Sequence, residues 1–181
     1  MVNYFLVLSS FLSLLIFDLL QMGKNYSLRI FFSIIGYSGI VSVILLNCLR
    51  TQIPPISTPL KLILIFFTFL FYLLLIYSLF IEINVSPYRH LHTRKVYDKG
   101  TYSISRHPGF LWLSLLLSTL IFLYRNKDFT GIMLFILVMD LILVTIEDIF
   151  IFPKIFKDYN EYKKYTPFLL SFKVFYREKS R

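Results

Sequence analysis

Cysteine occurs once, at position 48, so no intrachain disulfide can form and cysteine usage does not set a redox compartment. The six glycines, at 23, 36, 39, 100, 109 and 131, contain no G-x-G-x-x-G, which excludes a Rossmann-type nucleotide site in its usual form. There are three histidines. His90 and His92 stand together without a cysteine or a third ligand at useful spacing, so they read as a solvated loop and no metal is expected. No Lys or Arg precedes the first apolar run, that run is too long for a signal h-region, and no small-residue cleavage site follows it. It therefore reads as a span and not as a cleaved leader. Acidic residues are also scarce: 10 against 19 Lys and Arg.

Apolar residues are abundant. A chain that is 57% hydrophobic and 19% aromatic, with a mean hydropathy of +0.70, is too apolar for a soluble domain of 181 residues. A helix crossing the hydrocarbon needs about 20 apolar residues, and the segments 4–22, 30–49, 60–83, 108–124 and 129–152 approach that length, the fourth being the shortest. The fold expected is an all-α integral membrane protein of about five transmembrane helices. Residues 1–83 would form a three-helix region, and residues 84–181 a cofactor-binding loop, a two-helix hairpin and a tail, all in one structural unit.

Cations set the expected orientation. The loops after the first and third spans and the C-terminal tail carry 15 of the 19 Lys and Arg, which by the positive-inside rule makes them cytosolic and leaves the N-terminus outside. The net charge of +9 is thereby an expression of topology and lipid-headgroup contact, with no nucleic-acid partner expected. Ser57 or Thr58 before Pro59 is a plausible start for the third span. In the tail, Ile155, Tyr159 and Tyr162 recur at helical spacing between lysines, the pattern of a helix lying in the membrane interface, with the tyrosines as interfacial anchors and Thr166-Pro167 as its stop.

Chemistry concentrates at two places. In Arg106-His107-Pro108-Gly109-Phe110, Pro108 can open a helix because the first turn needs no amide donor from it, while the free N–H groups of Gly109 and Phe110 suit an anion. About forty residues on, Glu147 and Asp148 end an apolar helix, where charge is costly without a partner. The long polar loop over 84–105, with Arg89, His90, His92, Arg94, Lys95 and Lys99, is a candidate ligand-binding segment.

The stretch Val96-Tyr97-Asp98-Lys99-Gly100-Thr101-Tyr102 followed by Arg106-His107-Pro108 resembles the cofactor signature of the isoprenylcysteine carboxyl methyltransferase and phospholipid methyltransferase superfamily. Glu147-Asp148 stands where that superfamily has an acidic pair, and the run from Tyr159 to Pro167 follows at its spacing. The resemblance covers about residues 84 to 172. It implies an integral membrane methyltransferase using S-adenosyl-L-methionine, with membrane lipids around it and a lipidic acceptor of amine or carboxylate type. By the same resemblance Val96, Tyr97, Tyr102, His107, Pro108, Gly109, Phe110 and Glu147 would line the cofactor pocket. Glu147 would take the cofactor's ammonium, the Gly109 and Phe110 amides with His107 its carboxylate, and Tyr102 would pack on adenine. Arg106 would clamp a carboxylate or hold an acidic residue in place, and Asp148 or Glu147 would serve as base for an amine acceptor.

Departures from the superfamily pattern bear on the acceptor. The acidic pair is Glu-Asp, Phe110 replaces a tyrosine, and Trp112 stands where a small residue is common and would narrow the pocket. Leu143 occupies the place of an arginine that orients a substrate carboxylate, which argues against carboxyl methylation of a prenylated cysteine. Asp140, seven residues before Glu147 and about 20° from it around a helix, would suit an amine or an internal cation, or else hydrogen-bond a neighbouring helix. Two alternatives stay open: a non-catalytic membrane protein that keeps the fold, and a reductase of the sterol-reductase type using NADPH.

Overall fold

The computed structural model describes residues 1–23, 25–82 and 95–170, and every regular element among them is helical. His90, His92 and the tail beyond 170 lie outside the described residues. Helix α1 runs Val2–Leu20, α2 Tyr26–Arg50 and α3 Thr58–Ile76, α3 continuing into a widened π-turn at Tyr77–Glu82. A single helical turn, α4, follows at Thr101–Ile104, then α5 at Pro108–Tyr124. Helix α6, Lys127–Ile146, leads into a second π-turn at Glu147–Ile151 and the short α7 at Phe152–Ile155; α8 spans Tyr159–Tyr165.

Among the described residues, four helices are long and apolar enough to cross a membrane: Val2–Leu20, Tyr26–Arg50, Thr58–Glu82 and Lys127–Ile155. Helix α5, with 17 residues, falls short of that length. Helix α2 begins four residues before the expected 30, because apolarity alone does not mark a helix start and Tyr26 to Arg29 extend the first turn. Helix α3 starts at Thr58 as the Ser-Thr-Pro signal predicts.

The outer surface carries Leu12, Phe31, Phe66 and Phe69, each at least half exposed, and α3 buries no residue fully. Such a surface suits an apolar solvent and not water. The interior is built from Val7, Phe11 and Leu14 of α1, Ile40 and Val43 of α2, Leu117 and Leu120 of α5, and Met133 and Ile136 of α6. Helix α1 lies along α2, α3 along α5, and α6 joins both pairs. Gly36 permits the close α1–α2 approach: a Cβ there would come within 2.5 Å of the Leu14 side chain. Polar pairs tie helices together, Asn3 Nδ2 donating to Asn47 Oδ1 at 3.2 Å and Thr68 Oγ1 to Thr119 Oγ1 at 3.0 Å.

The α5–α6 hairpin positions everything that follows. Arg125 closes α5 in the left-handed region (φ 47°), and Asn126 caps α6, its side chain accepting from the Phe129 amide at 3.0 Å. At 1.5 Å per residue α5 rises about 25 Å and α6 returns about 30 Å, so Glu147 and Asp148 come back to the level of Arg106 and His107.

Candidate functional site

Asp148 is the centre of the site. Arg106 Nε lies 3.0 Å from its Oδ1, Lys163 Nζ 2.8 Å from Oδ2, and the Tyr159 hydroxyl donates to Oδ1 at 2.6 Å. His107 Nε2 stands 3.4 Å from the same Oδ1. One buried carboxylate thus joins the α5 entry loop, α6 and α8, and its charge is balanced by two cations whose own burial would be costly without it. Arg106 is in the second of its two expected roles, holding an acid in place. Asp148 is in turn engaged by Arg106, His107, Tyr159 and Lys163 together.

His107 starts α5, yet its ring caps no amide. It turns inward, with Nδ1 3.6 Å from Glu147 Oε2 and Nε2 toward Asp148. Consecutive residues of a regular helix point about 100° apart; the π-turn that begins at Glu147 widens the backbone where both carboxylates reach one imidazole. Phe152 stacks on the ring at 5.8 Å and Phe168 tilts against it at 4.9 Å. Burial pulls the His107 pKa below its ordinary 6.5, although Asp148 acts in the opposite direction.

Glu147 has a different environment. Among the described residues its ion-pair neighbour is His107 and no Lys or Arg. It faces Asp18 of α1, which is 3% exposed and accepts from Gln21 Nε2 at 2.8 Å. Asp140 lies within electrostatic reach of Glu147 and Tyr37. No lysine or arginine pairs with Asp140 among the described residues.

The remaining expected residues fall around this centre. The Val96 amide donates to Asp158 Oδ1 at 2.9 Å, and Tyr97 meets Tyr102 edge to face at 5.9 Å. The Tyr102 hydroxyl donates to the Ser78 carbonyl at 3.3 Å. Pro108 is buried, and Gly109 brings its backbone so close to α3 that a Cβ would sit 2.7 Å from Leu79. Phe110 follows in the first turn of α5, where helix geometry leaves the amides without an intrahelical carbonyl. Trp112 is half-buried, with an indole N–H that is wholly buried and unpartnered. Leu143 is 7% exposed in the core cluster and is a packing residue.

The tail departs from its expected form. The chain leaves helical geometry at Phe156 before re-entering it in α8. Tyr159 and Tyr162 are each 2% exposed, so they are interior donors and not interfacial anchors. Tyr162 donates to the Tyr102 carbonyl, and burial pushes both phenols far above their ordinary range, which keeps them protonated as donors need to be. Past Thr166, the chain lies across the α5 entry: the Arg106 amide donates to the Pro167 carbonyl at 3.0 Å and Ser105 Oγ to the Phe168 carbonyl at 3.1 Å.

Sequence reading missed Glu82, Lys163 and the inward roles of Tyr159 and Tyr162. The available signal was a lone acid ending an apolar helix and an i, i+3 tyrosine pair. An open surface depression of about 660 Å³ lies elsewhere, at the turn of the α5–α6 hairpin, lined by Phe122, Arg125, Lys127 and Leu134 among others. No protein-family model, curated protein or solved structure matches the chain.

Proposed function

We propose that the chain is a membrane-embedded methyltransferase, transferring the methyl group of S-adenosyl-L-methionine to a lipidic acceptor. The observation that carries this reading is the meeting of two blocks 41 residues apart, Arg106-His107 and Glu147-Asp148, in one buried cluster. The donor set suits the cofactor. Glu147, with no lysine or arginine paired to it among the described residues, is available to an ammonium; the first-turn amides of α5 beside His107 suit a carboxylate; Val96, Tyr97 and Tyr102 offer an apolar and aromatic wall.

When bound, the sulfonium supplies an activated methyl group for in-line displacement, which asks the protein mainly for orientation and a dry site. Asp148 holds the His107 ring, Arg106 and Lys163 neutralise Asp148, and Phe152 and Phe168 exclude water from the imidazole. The acceptor is an amine in preference to a carboxylate: Asp18 and Asp140 lie near Glu147 without a lysine or arginine partner among the described residues and would take the proton the amine gives up as it is methylated, and Leu143 is committed to the core. In this reading α5 is the fifth crossing, tolerated at 17 residues by local bilayer thinning, with the N-terminus outside and the site at the cytosolic face.

A second reading, a non-catalytic membrane protein, draws on the saturation of Asp148, whose neighbours are already spent on one another. Calorimetry on detergent-purified protein separates the readings. S-adenosylhomocysteine should bind and NADPH should not. Binding of neither supports the scaffold, and binding of NADPH alone supports the reductase alternative.

A further inference from the structure

Both π-turns sit at the same end of the bundle, and each delivers a buried acid. The second delivers Asp148; the first ends in Glu82, which is 4% exposed and has no lysine or arginine paired to it among the described residues. Its Oε1 accepts from the Thr101 amide at 2.8 Å and its Oε2 from the Thr101 hydroxyl. Four residues earlier in the same π-turn, the Ser78 carbonyl accepts from the Tyr102 hydroxyl. The turn being held depends on glycine: Gly100 has φ +55°, and any Cβ there would run into the Glu82 carboxylate. A buried carboxylate is expensive, and two charge-assisted hydrogen bonds to one residue of a separate segment are its compensation.

We propose that Glu82 is a positioning residue, a latch that locks the Gly100–Thr101 turn onto the end of α3 and thereby fixes the Tyr97–Tyr102 pair. The turn has a second anchor in the Tyr162 bond to the Tyr102 carbonyl, so Glu82 governs the α3 side of the segment and α8 the other. The functional half of the inference rests on the cofactor reading above. A latched turn needs no ordering when the ligand binds, which lowers the binding cost without any contact between Glu82 and the ligand.

Hydrogen exchange in detergent micelles tests the latch directly, with Glu82→Ala, Glu82→Gln and Thr101→Val beside the parent chain. In Glu82→Ala the amides of Thr101, Tyr102, Ser103 and Ser105 should exchange about tenfold faster while α1 and α6 keep their protection. Thr101→Val, which retains the amide bond but loses the hydroxyl, should show a smaller acceleration at the same amides. Glu82→Gln, which keeps an acceptor for the amide, should restore most of the protection. In methyl transfer, Glu82→Ala should raise KM for S-adenosyl-L-methionine about tenfold with kcat within a factor of two. Unchanged exchange at these amides in both Glu82→Ala and Thr101→Val overturns the latch. Failure of the parent chain to bind S-adenosylhomocysteine overturns the cofactor reading and leaves the exchange result to judge the latch alone.

Discussion

Arg106 and Asp148 stand 42 positions apart and meet with Nε 3.0 Å from Oδ1, the guanidinium 12% and the carboxylate 7% accessible. The pair joins the start of one hairpin helix to the end of the other. Because Lys163 shares the same carboxylate, removing Asp148 would leave two partly buried cations, 12% and 27% exposed, without that anion.

Asp148→Ala should therefore lose about 3–5 kcal/mol of stability. Tyr159→Phe, which removes one hydrogen bond and no charge, should lose about 2 kcal/mol. Denaturation midpoints in a fixed detergent would rank the two, and equal losses would show that Asp148 is not the hub.

Glu147 should behave in the opposite way. Glu147→Gln keeps the shape of the side chain and strands no cation, so folding should be nearly unchanged while affinity for S-adenosylhomocysteine falls at least about tenfold, in line with one lost charge-assisted bond. Calorimetry on the folded variant checks this; undiminished affinity removes Glu147 from the site.

His107 predicts a pH response. Its folded-state pKa lies below 6.5, so the unfolded chain takes up the proton first; this contribution to stability is complete above about pH 6.5 and is lost as pH falls toward the folded-state value. The melting temperature should decline from pH 7 to pH 5.5, and His107→Gln should flatten that decline. An equal slope in both proteins would assign the response to another group.

Leu143→Arg tests packing against steering. With Leu143 in the core cluster, a guanidinium there has no room and would overpack the interior even with Asp140 and Glu147 within a helical turn, so little folded protein should survive size-exclusion chromatography. A well-folded variant with new activity on carboxylate lipids would instead place position 143 at the acceptor.

Gly36→Val tests the α1–α2 contact. The added Cβ would press on Leu14, and overpacking of this kind costs about 1–3 kcal/mol. A wild-type melting temperature would mean that the two helices separate freely.

Much of this architecture was readable along the chain. Apolar runs of the right length locate the long helices, Ser-Thr-Pro starts α3 and His-Pro starts α5, since proline at the first helical position and uninterrupted apolar segments are local signals. The two blocks of the candidate site were legible as well, because each combines charge with the end of an apolar helix. What eluded the sequence was the division of labour between neighbours. Asp148 collects the cations and Glu147 does not, although the two are adjacent in the chain.

Hydropathy, turn chemistry and helix length act over a few residues, so residue order alone accounts for the long helices, the starts of α3 and α5 and the hairpin that returns α6 beside the start of α5. Partner choice is another matter. It depends on which distant element arrives at each side chain: α8 brings Tyr159 and Lys163 to Asp148, α1 brings Asp18 to Glu147, and the Thr101 turn comes to Glu82. Burial then amplifies each meeting, because a carboxylate removed from solvent is governed by the few groups it touches.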